Sequence, residues 1–292
     1  MKITRVRKTA IAIAAGALLL SGCSSSDSES AGGAYAGPVQ DTPGTINVLA
    51  WPGYAEDGST DPKVDWVTPF EKETGCTVNV KTYGTSDEAV QLMQSGGYDV
   101  VSASGDASLR LIFGGDLQPV NLDLIPNYAD VFANLKDRPW NTIDGANYGV
   151  PHGRGANVLQ YTIDKVKPAP DSWSVVWEPN SPLKGKVTAY DSAIYIADAA
   201  VYLMSTKPEL AITDPYALDQ TQFDAAMALL KQQKPLVAEY WADYTKYVAA
   251  VQAGSIVAGT SWQVIANVLN GEKSTVGAVK PKEGATGWSD TW

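Results

Sequence analysis

The chain has 292 residues, a formal net charge of −10 and 45% hydrophobic residues. An acidic surface does not attract nucleic acid or anionic lipid, so neither is expected as a partner. Two cysteines and one histidine offer little material for a metal site, and no cofactor is expected. The length suits two lobes better than one.

The first 22 residues have the layout of an export signal. A basic start precedes an apolar run over residues 10–20, which is shorter than the roughly 20 residues that span a bilayer. The run ends at Leu20-Ser21-Gly22-Cys23, which resembles the bacterial lipoprotein signal, in which the cysteine is lipidated. We therefore expect an exported protein, anchored by acyl chains on Cys23 to the outer face of a bacterial cell membrane or held in the periplasm.

Residues 23–45 are rich in Ser, Gly and Ala and have little to bury, so they are predicted to form a flexible tether. With Cys23 acylated, Cys76 has no second cysteine to pair with in this sequence.

The chain beyond the tether alternates strand and helix patterns. In its first half, strands are predicted over residues 47–50, 77–81 and 98–101, and helices over residues 61–75, 88–94 and 109–112. This alternation indicates a largely parallel sheet, and ligands of such sheets sit beyond the carboxyl ends of the strands. Trp51 and Tyr54 lie at that end of the first strand.

A second lobe is predicted after a crossing at residues 157–161. Its strands are predicted over residues 186–189, 255–259 and 276–279, and its helices over residues 193–204, 222–231 and 244–253, with another helix opening at Gln263. The predicted division is residues 47–155 with 286–292 for lobe 1, and residues 156–285 for lobe 2.

Five short motifs follow one another along residues 46–292. They are Trp51-x-x-Tyr54, Phe70-Glu71-Lys72-Glu73-Thr74-Gly75, Tyr98-Asp99-Val100-Val101, Asp171-Ser172-Trp173 and Pro281-Lys282-Glu283-Gly284. In this order they resemble the spermidine/putrescine-binding proteins of bacterial ABC importers. The resemblance implies a two-lobed α/β fold of the periplasmic-binding-protein type, with a hinge and a ligand cleft between the lobes. It also implies a monomer that delivers its ligand to ABC permease subunits and catalyses nothing.

The resemblance also implies a ligand site. Its aromatic contacts fall on Trp51, Tyr54, Trp262 and Trp288, its amine-binding acid on Asp290, and a polar contact on Ser104. Flat apolar rings suit the methylene chain of a polyamine and attract its charges, while the ammonium groups need carboxylates.

Three further positions depart from the family pattern and are included in the predicted site. Asp106 stands where the family has an aromatic residue, and Asp191 lies near the place of a pair of acids. Tyr195 occupies a position that matches one of those acids. A polyamine-like ligand is therefore expected, but with altered spacing between its charges.

Two alternatives stay open at this point. Arg154 would suit the carboxylate of a betaine, an amino acid or another zwitterion, and the tryptophans would equally enclose a quaternary ammonium. A cleft enzyme is the weaker alternative, since Asp106 and Asp290 could form a glycoside hydrolase pair. No nucleophile or phosphate-binding motif accompanies them.

Because the last strand ends at Trp292, the sequence also suggests a C-terminally incomplete binding protein.

Overall fold

The computed structural model describes residues 33–37 and 42–292. The predicted export signal, Cys23 and much of the predicted tether lie outside these residues. In the part that is described, Cys76 forms no disulfide. No helix within this part is both long enough and apolar enough to span a bilayer.

The described chain alternates strands and helices from residue 45 onward. In chain order, the elements are β1 (Thr45–Ala50), α1 (Val67–Thr74), β2 (Thr77–Thr82), α2 (Ser86–Ser95), β3 (Val100–Val101), β4 (Ala103–Ser104), α3 (Gly105–Gly114), β5 (Thr142–Ile143), β6 (Ala146–Asn147), β7 (Pro151–Thr162), α4 (Ser174–Trp177), β8 (Val187–Tyr190), α5 (Tyr195–Thr206), α6 (Gln220–Gln233), β9 (Val237–Trp241), α7 (Tyr244–Ala253), β10 (Ala258–Trp262), α8 (Gln263–Gly271), β11 (Val276–Val279) and β12 (Gly287–Thr291). Short 3₁₀ turns occupy Leu122–Leu124, Pro126–Asp130 and Pro208–Leu210.

The first sheet has three parallel strands, in the order β2-β1-β3. Its central strand is apolar, and Leu49 and Ala50 are fully buried. Leu49 packs in a first hydrophobic core with Val101 on β3, Ala89 on α2 and Leu111 on α3. The parallel arrangement predicted for this half of the chain is confirmed.

The predicted helix over residues 61–75 begins six residues too early. Helix α1 starts at Val67, which places Pro69 in the first turn, where its missing N–H costs little. Gly75 ends the helix as expected, with φ at 71°. Asp61 instead holds a turn, because its side chain accepts a hydrogen bond from the backbone N–H of Lys63 at 2.9 Å.

The second sheet is mixed, unlike the parallel first sheet. Its order is β4-β12-β7-β10-β8-β9, with β11 also pairing with β7. Strand β8 is parallel to β9 and β10, but β7 is antiparallel to β10, β11 and β12. Strand β7 runs from the first core towards the second while β12 runs back, so the two strands must pair in opposite directions.

A second hydrophobic core covers residues 159–276 and contains α4 to α8. The two cores agree with a two-lobed fold, and Trp262 on β10 packs against both.

Hydrogen bonds at the edge of the second core join two motifs that are far apart in the sequence, Asp171-Ser172-Trp173 and Pro281-Lys282-Glu283-Gly284. Glu283 accepts hydrogen bonds from the Ser172 hydroxyl at 2.5 Å and the Trp173 backbone N–H at 3.1 Å.

Candidate functional site

Strand β7 aligns three of the predicted ligand residues along one of its faces. Gly153 is the register partner of Asp290, and Gly155 is the partner of Trp288, both on β12. Asn157 is the partner of Trp262 on β10. Side chains of antiparallel partners point to the same face of a sheet. This face, with Gly153, Gly155 and Asn157, is called the site face of β7 below.

Asp290 is the acid at one end of this face. It is only 4% exposed. Its Oδ1 accepts a hydrogen bond from the Ser104 hydroxyl at 2.6 Å, and its Oδ2 accepts one from the Tyr54 hydroxyl at 2.5 Å. Burial raises the pKa of Asp290, while these two hydrogen bonds and the nearby His152 oppose the rise. Among the described residues, no Lys or Arg nitrogen lies within 4.0 Å of this carboxylate.

The two glycines of β7 leave different amounts of room. A Cβ added to Gly153 would meet no atom within 4 Å, so space is open beside its partner Asp290. A Cβ added to Gly155 would meet the Trp288 ring at 2.5 Å, so that ring lies directly over Gly155. The site face therefore offers an open place next to a buried acid, with an aromatic wall two residues along.

Aromatic rings from both cores meet beside this face. Trp51 lies 4.6 Å from Tyr83 and 6.1 Å from Trp262, measured between ring centroids. Trp262 also lies 5.4 Å from Tyr190 and 4.8 Å from Trp241. Trp51 and Trp262 thus join the two cores by an edge-on aromatic contact.

Tyr83 and Tyr190 were not singled out from the sequence. Tyr83 directly follows β2 and Tyr190 ends β8, so each lies at the carboxyl end of a strand. Trp51 and Tyr54 were predicted because ligands bind beyond the carboxyl ends of strands, and the same rule applied to β2 and β8 would have identified Tyr83 and Tyr190. Their own burial chiefly raises the pKa values of both phenols, and Asp106 and Asp290 raise them further.

Asp106 lies in the first turn of α3, where the helix dipole favours a negative charge. Its Oδ1 accepts a hydrogen bond from the Ser86 hydroxyl at 3.1 Å. Burial raises the pKa of Asp106, and the hydrogen bond from Ser86 opposes that rise. The charge of Asp106 also contributes to the raised pKa of Tyr190, at the end of β8.

His152, the single histidine of the chain, belongs to this group although the sequence did not assign it. Asp290 pairs with Gly153 and Thr291 with Pro151, so His152 is the extra residue of a β-bulge. Its ring stacks on Tyr54 with centroids 4.0 Å apart and an interplanar angle of 18°. His152 is exposed, but the partial loss of water around its ring lowers its pKa, and Asp290 opposes that shift.

Two predicted residues occupy other places. Tyr195 is only 3% exposed and packs in the second core, where it stacks on Trp177 with centroids 5.3 Å apart. Its hydroxyl accepts a hydrogen bond from Gln233 at 3.0 Å, so this position removes Tyr195 from the candidate ligand residues. Asp191 is exposed just beyond β8, and its charge contributes to the raised pKa values of Tyr190 and Tyr240.

Arg154 is exposed and is the register partner of Ser289. Because β7 side chains alternate, it points away from the site face. The structure therefore gives no support to Arg154 as a clamp for a ligand carboxylate. Within residues 33–37 and 42–292, no cluster of three His, Cys, Asp or Glu side chains could hold a metal ion.

Comparison with known proteins identifies relatives of this fold. The family model of the bacterial extracellular solute-binding proteins matches residues 65–292. The chain is 24% identical over 252 residues to spermidine/putrescine-binding periplasmic protein 1 of Haemophilus influenzae, covering 85% of this chain and 64% of that protein. It is 27% identical over 202 residues to the putrescine/cadaverine-binding protein of Pseudomonas aeruginosa, covering 66% and 53%.

A solved structure supports the fold. The crystal structure of a Treponema pallidum lipoprotein matches with a TM-score of 0.67 and 18% identity, over 85% of this chain and 73% of that one. At this identity the match shows the two-lobed fold and not the ligand. The chain spans less than two thirds of the length of both curated relatives named above.

Proposed function

The chain belongs to the family of bacterial extracellular solute-binding proteins, and from this premise we propose that it binds a small cationic amine between its lobes. The ligand is released unchanged to permease subunits of an ABC importer. An ammonium group of the ligand occupies the open place beside Gly153 and bonds to Asp290. The rings of Trp288, Trp51 and Trp262 flank its apolar part.

The observation that carries this proposal is the state of Asp290. It is a buried carboxylate whose hydrogen-bond partners are the neutral hydroxyls of Ser104 and Tyr54. A buried charge without a counter-ion is costly, and a cationic ligand would supply the missing charge. The open space beside the acid is where that ligand group would fit.

Two further observations support an amine. Aromatic faces attract ammonium groups by roughly 0.5–2 kcal/mol each, more when water is excluded. The names of the relatives described above refer to spermidine, putrescine and cadaverine, all of which are amines with a methylene chain. Asp106, on the same lobe as Asp290, is the candidate partner for a second ammonium group.

A second candidate ligand is an amine that also carries a hydrogen-bond acceptor, such as an amino acid or a betaine. The indole N–H groups of Trp51 and Trp288 are buried without an acceptor among the described residues. A protonated amine has no lone pair to offer them, whereas a carboxylate or hydroxyl does. Orphan buried donors are unfavourable, so these two indoles favour a ligand with such a group.

Isothermal titration calorimetry with putrescine, spermidine, choline, glycine betaine and a set of amino acids tests both candidates. Binding of the diamine or triamine in preference to the others supports the first proposal. Preference for betaine or amino acids supports the second. Binding of neutral sugars alone would contradict both.

Anchoring is a separate part of the proposal, based on the lipoprotein-like sequence at Cys23. Cys23→Ser should move the protein from the membrane fraction to the soluble fraction of fractionated cells. Affinity for the amine should stay the same, because residues 23–45 separate the anchor from the lobes. Membrane retention of the variant would contradict lipidation at Cys23.

A further inference from the structure

His152 contacts two aromatic residues close to the candidate ligand acid, Tyr54 and Trp292. One face of its ring stacks on Tyr54, whose hydroxyl is the donor to Asp290. Its Nδ1 accepts a hydrogen bond from the indole Nε1 of Trp292 at 3.1 Å. The bulge on β7 directs the side chain into this position. His152 therefore contacts the ring that holds Asp290 without itself bonding to the acid.

The hydrogen bond from Trp292 determines the state of the imidazole. An indole N–H is a donor only, so Nδ1 must carry a lone pair and the ring proton must lie on Nε2. The arrangement described is thus that of a neutral His152. A protonated imidazole has N–H groups at both nitrogens and cannot accept from Trp292, so protonation breaks this contact.

We propose that His152 is a positioning residue that makes amine binding depend on pH. This inference rests on the proposed function. In its neutral form, His152 holds the Tyr54 ring and, through the Tyr54 hydroxyl, the Asp290 carboxylate. In its protonated form, it releases Trp292 and places a positive charge next to Asp290. That charge partly neutralises the acid and repels the ammonium group of the ligand.

The charged and titratable groups around His152 set the direction of the effect. Tyr54 faces its ring from the loop after β1, and Asp290 faces it from β12. Arg154 on its own strand points to the other face of the sheet. Burial disfavours the protonated form and Asp290 favours it. Ligand binding supplies a second cation to Asp290, so the ligand and the His152 proton must oppose each other.

The first test uses NMR and needs no ligand. The indole N–H signal of Trp292, assigned by its loss in Trp292→Phe, should shift with pH. Its midpoint should match that of the His152 ring protons, which are unambiguous because the chain has one histidine. In His152→Phe the Trp292 signal should lose this transition. A Trp292 signal that stays constant while the imidazole titrates would overturn the proposal.

The second test measures putrescine affinity by calorimetry at about pH 7.5 and about pH 5.5, on either side of the ordinary histidine pKa. For the wild type, the dissociation constant should rise about tenfold on acidification, as expected for a unit charge placed close to a buried carboxylate. His152→Phe and His152→Gln cannot be protonated, so the ratio between the two pH values should be at most about threefold. Any pH dependence of affinity that remains in these variants would come from protonation of the carboxyl groups of Asp290 and Asp106.

The possible failures are distinguishable. If putrescine and the other amines bind the wild type at neither pH, the proposed function fails and this inference fails with it. If an amine binds but the wild type and both His152 variants show the same ratio, only the role of His152 is wrong.

Discussion

Two buried aspartates, Asp290 at the site face and Asp198 at the predicted lobe boundary, have almost the same local chemistry but different surroundings. Asp198 is 8% exposed, and its Oδ1 accepts a hydrogen bond from the Thr286 hydroxyl at 2.9 Å. The Thr286 oxygen in turn accepts from the side chain of Asn157 at 2.7 Å. Asp198 therefore ties α5 to both segments that cross between the predicted lobes.

Neither acid has a Lys or Arg partner among the described residues. Burial is the main cause of a raised pKa at both, and at Asp198 it raises the pKa to about 7. What distinguishes them is room, because Asp290 lies beside the open place at Gly153 whereas Asp198 lies on a helix packed in the second core. Both carboxylates are buried and accept hydrogen bonds from hydroxyl groups, but only Asp290 has open space beside it where a ligand could bind.

The largest expected effect is on the free energy of unfolding, when Asp198 is replaced by Asn. A carboxyl whose pKa is raised in the folded state is harder to ionise there than in the unfolded chain. Stability therefore falls as pH rises from about 4 to about 7. Asp198→Asn removes this loss and should raise the free energy of unfolding at about pH 8 by on the order of 3 kcal/mol. Urea unfolding at several pH values measures it.

Amine binding by Asp198→Asn serves as the control. If the two roles differ as described, affinity should change little compared with the loss in Asp290→Asn. A pH dependence of stability that is the same in the wild type and in Asp198→Asn would contradict the raised pKa.

The next largest effect is on amine affinity, when Asp290 is replaced by Asn. Asp290→Asn should weaken amine binding by about 1.5–3 kcal/mol, the contribution of a hydrogen bond to a charged group. Its unfolding free energy should not fall, because the neutral amide avoids the burial cost of the carboxylate. Calorimetry and urea unfolding on the same samples measure both quantities. Equal losses of stability and affinity would make Asp290 a structural residue.

A matched pair of glycines tests whether the open place is the ligand site. Gly153→Ala should weaken amine binding by roughly 1 kcal/mol, about fivefold, because its methyl group enters the space beside Asp290. Stability should stay the same or rise slightly. Gly155→Ala should lower stability by about 1–3 kcal/mol, because its methyl group meets the Trp288 ring. If Gly153→Ala leaves affinity unchanged, the ligand lies elsewhere.

The smallest expected effect concerns the hydroxyl donors of Asp290. Ser104→Ala removes one donor and should weaken amine binding by about 0.5–1.5 kcal/mol. Thr286→Ser keeps the hydroxyl on Asp198 and is the matched control, which should bind as the wild type does. An affinity of Ser104→Ala equal to that of the wild type would mean that Tyr54 alone positions the acid.

Much of the secondary structure could be predicted because it depends on local patterns. Helix α7 (Tyr244–Ala253) has the predicted bounds, and β11 (Val276–Val279) does too. Strand β9 (Val237–Trp241) was missed because only its last residue is buried, so it lacks the continuous apolar signal of a central strand. The site was harder to predict, since Ser104 and Tyr54 lie 186 and 236 positions from Asp290.

The sequence by itself determined the alternation of strands and helices and the family, because periodicity and motif order can be read directly along the chain. Only the tertiary structure decided the register of β7 against β12, and with it the bulge that brings His152 onto Tyr54. It also decided that Tyr195 enters the second core and that Arg154 points away from the site face of β7. These features depend on which strands pair and in which register, and a shift of one residue would reverse the face of every side chain involved.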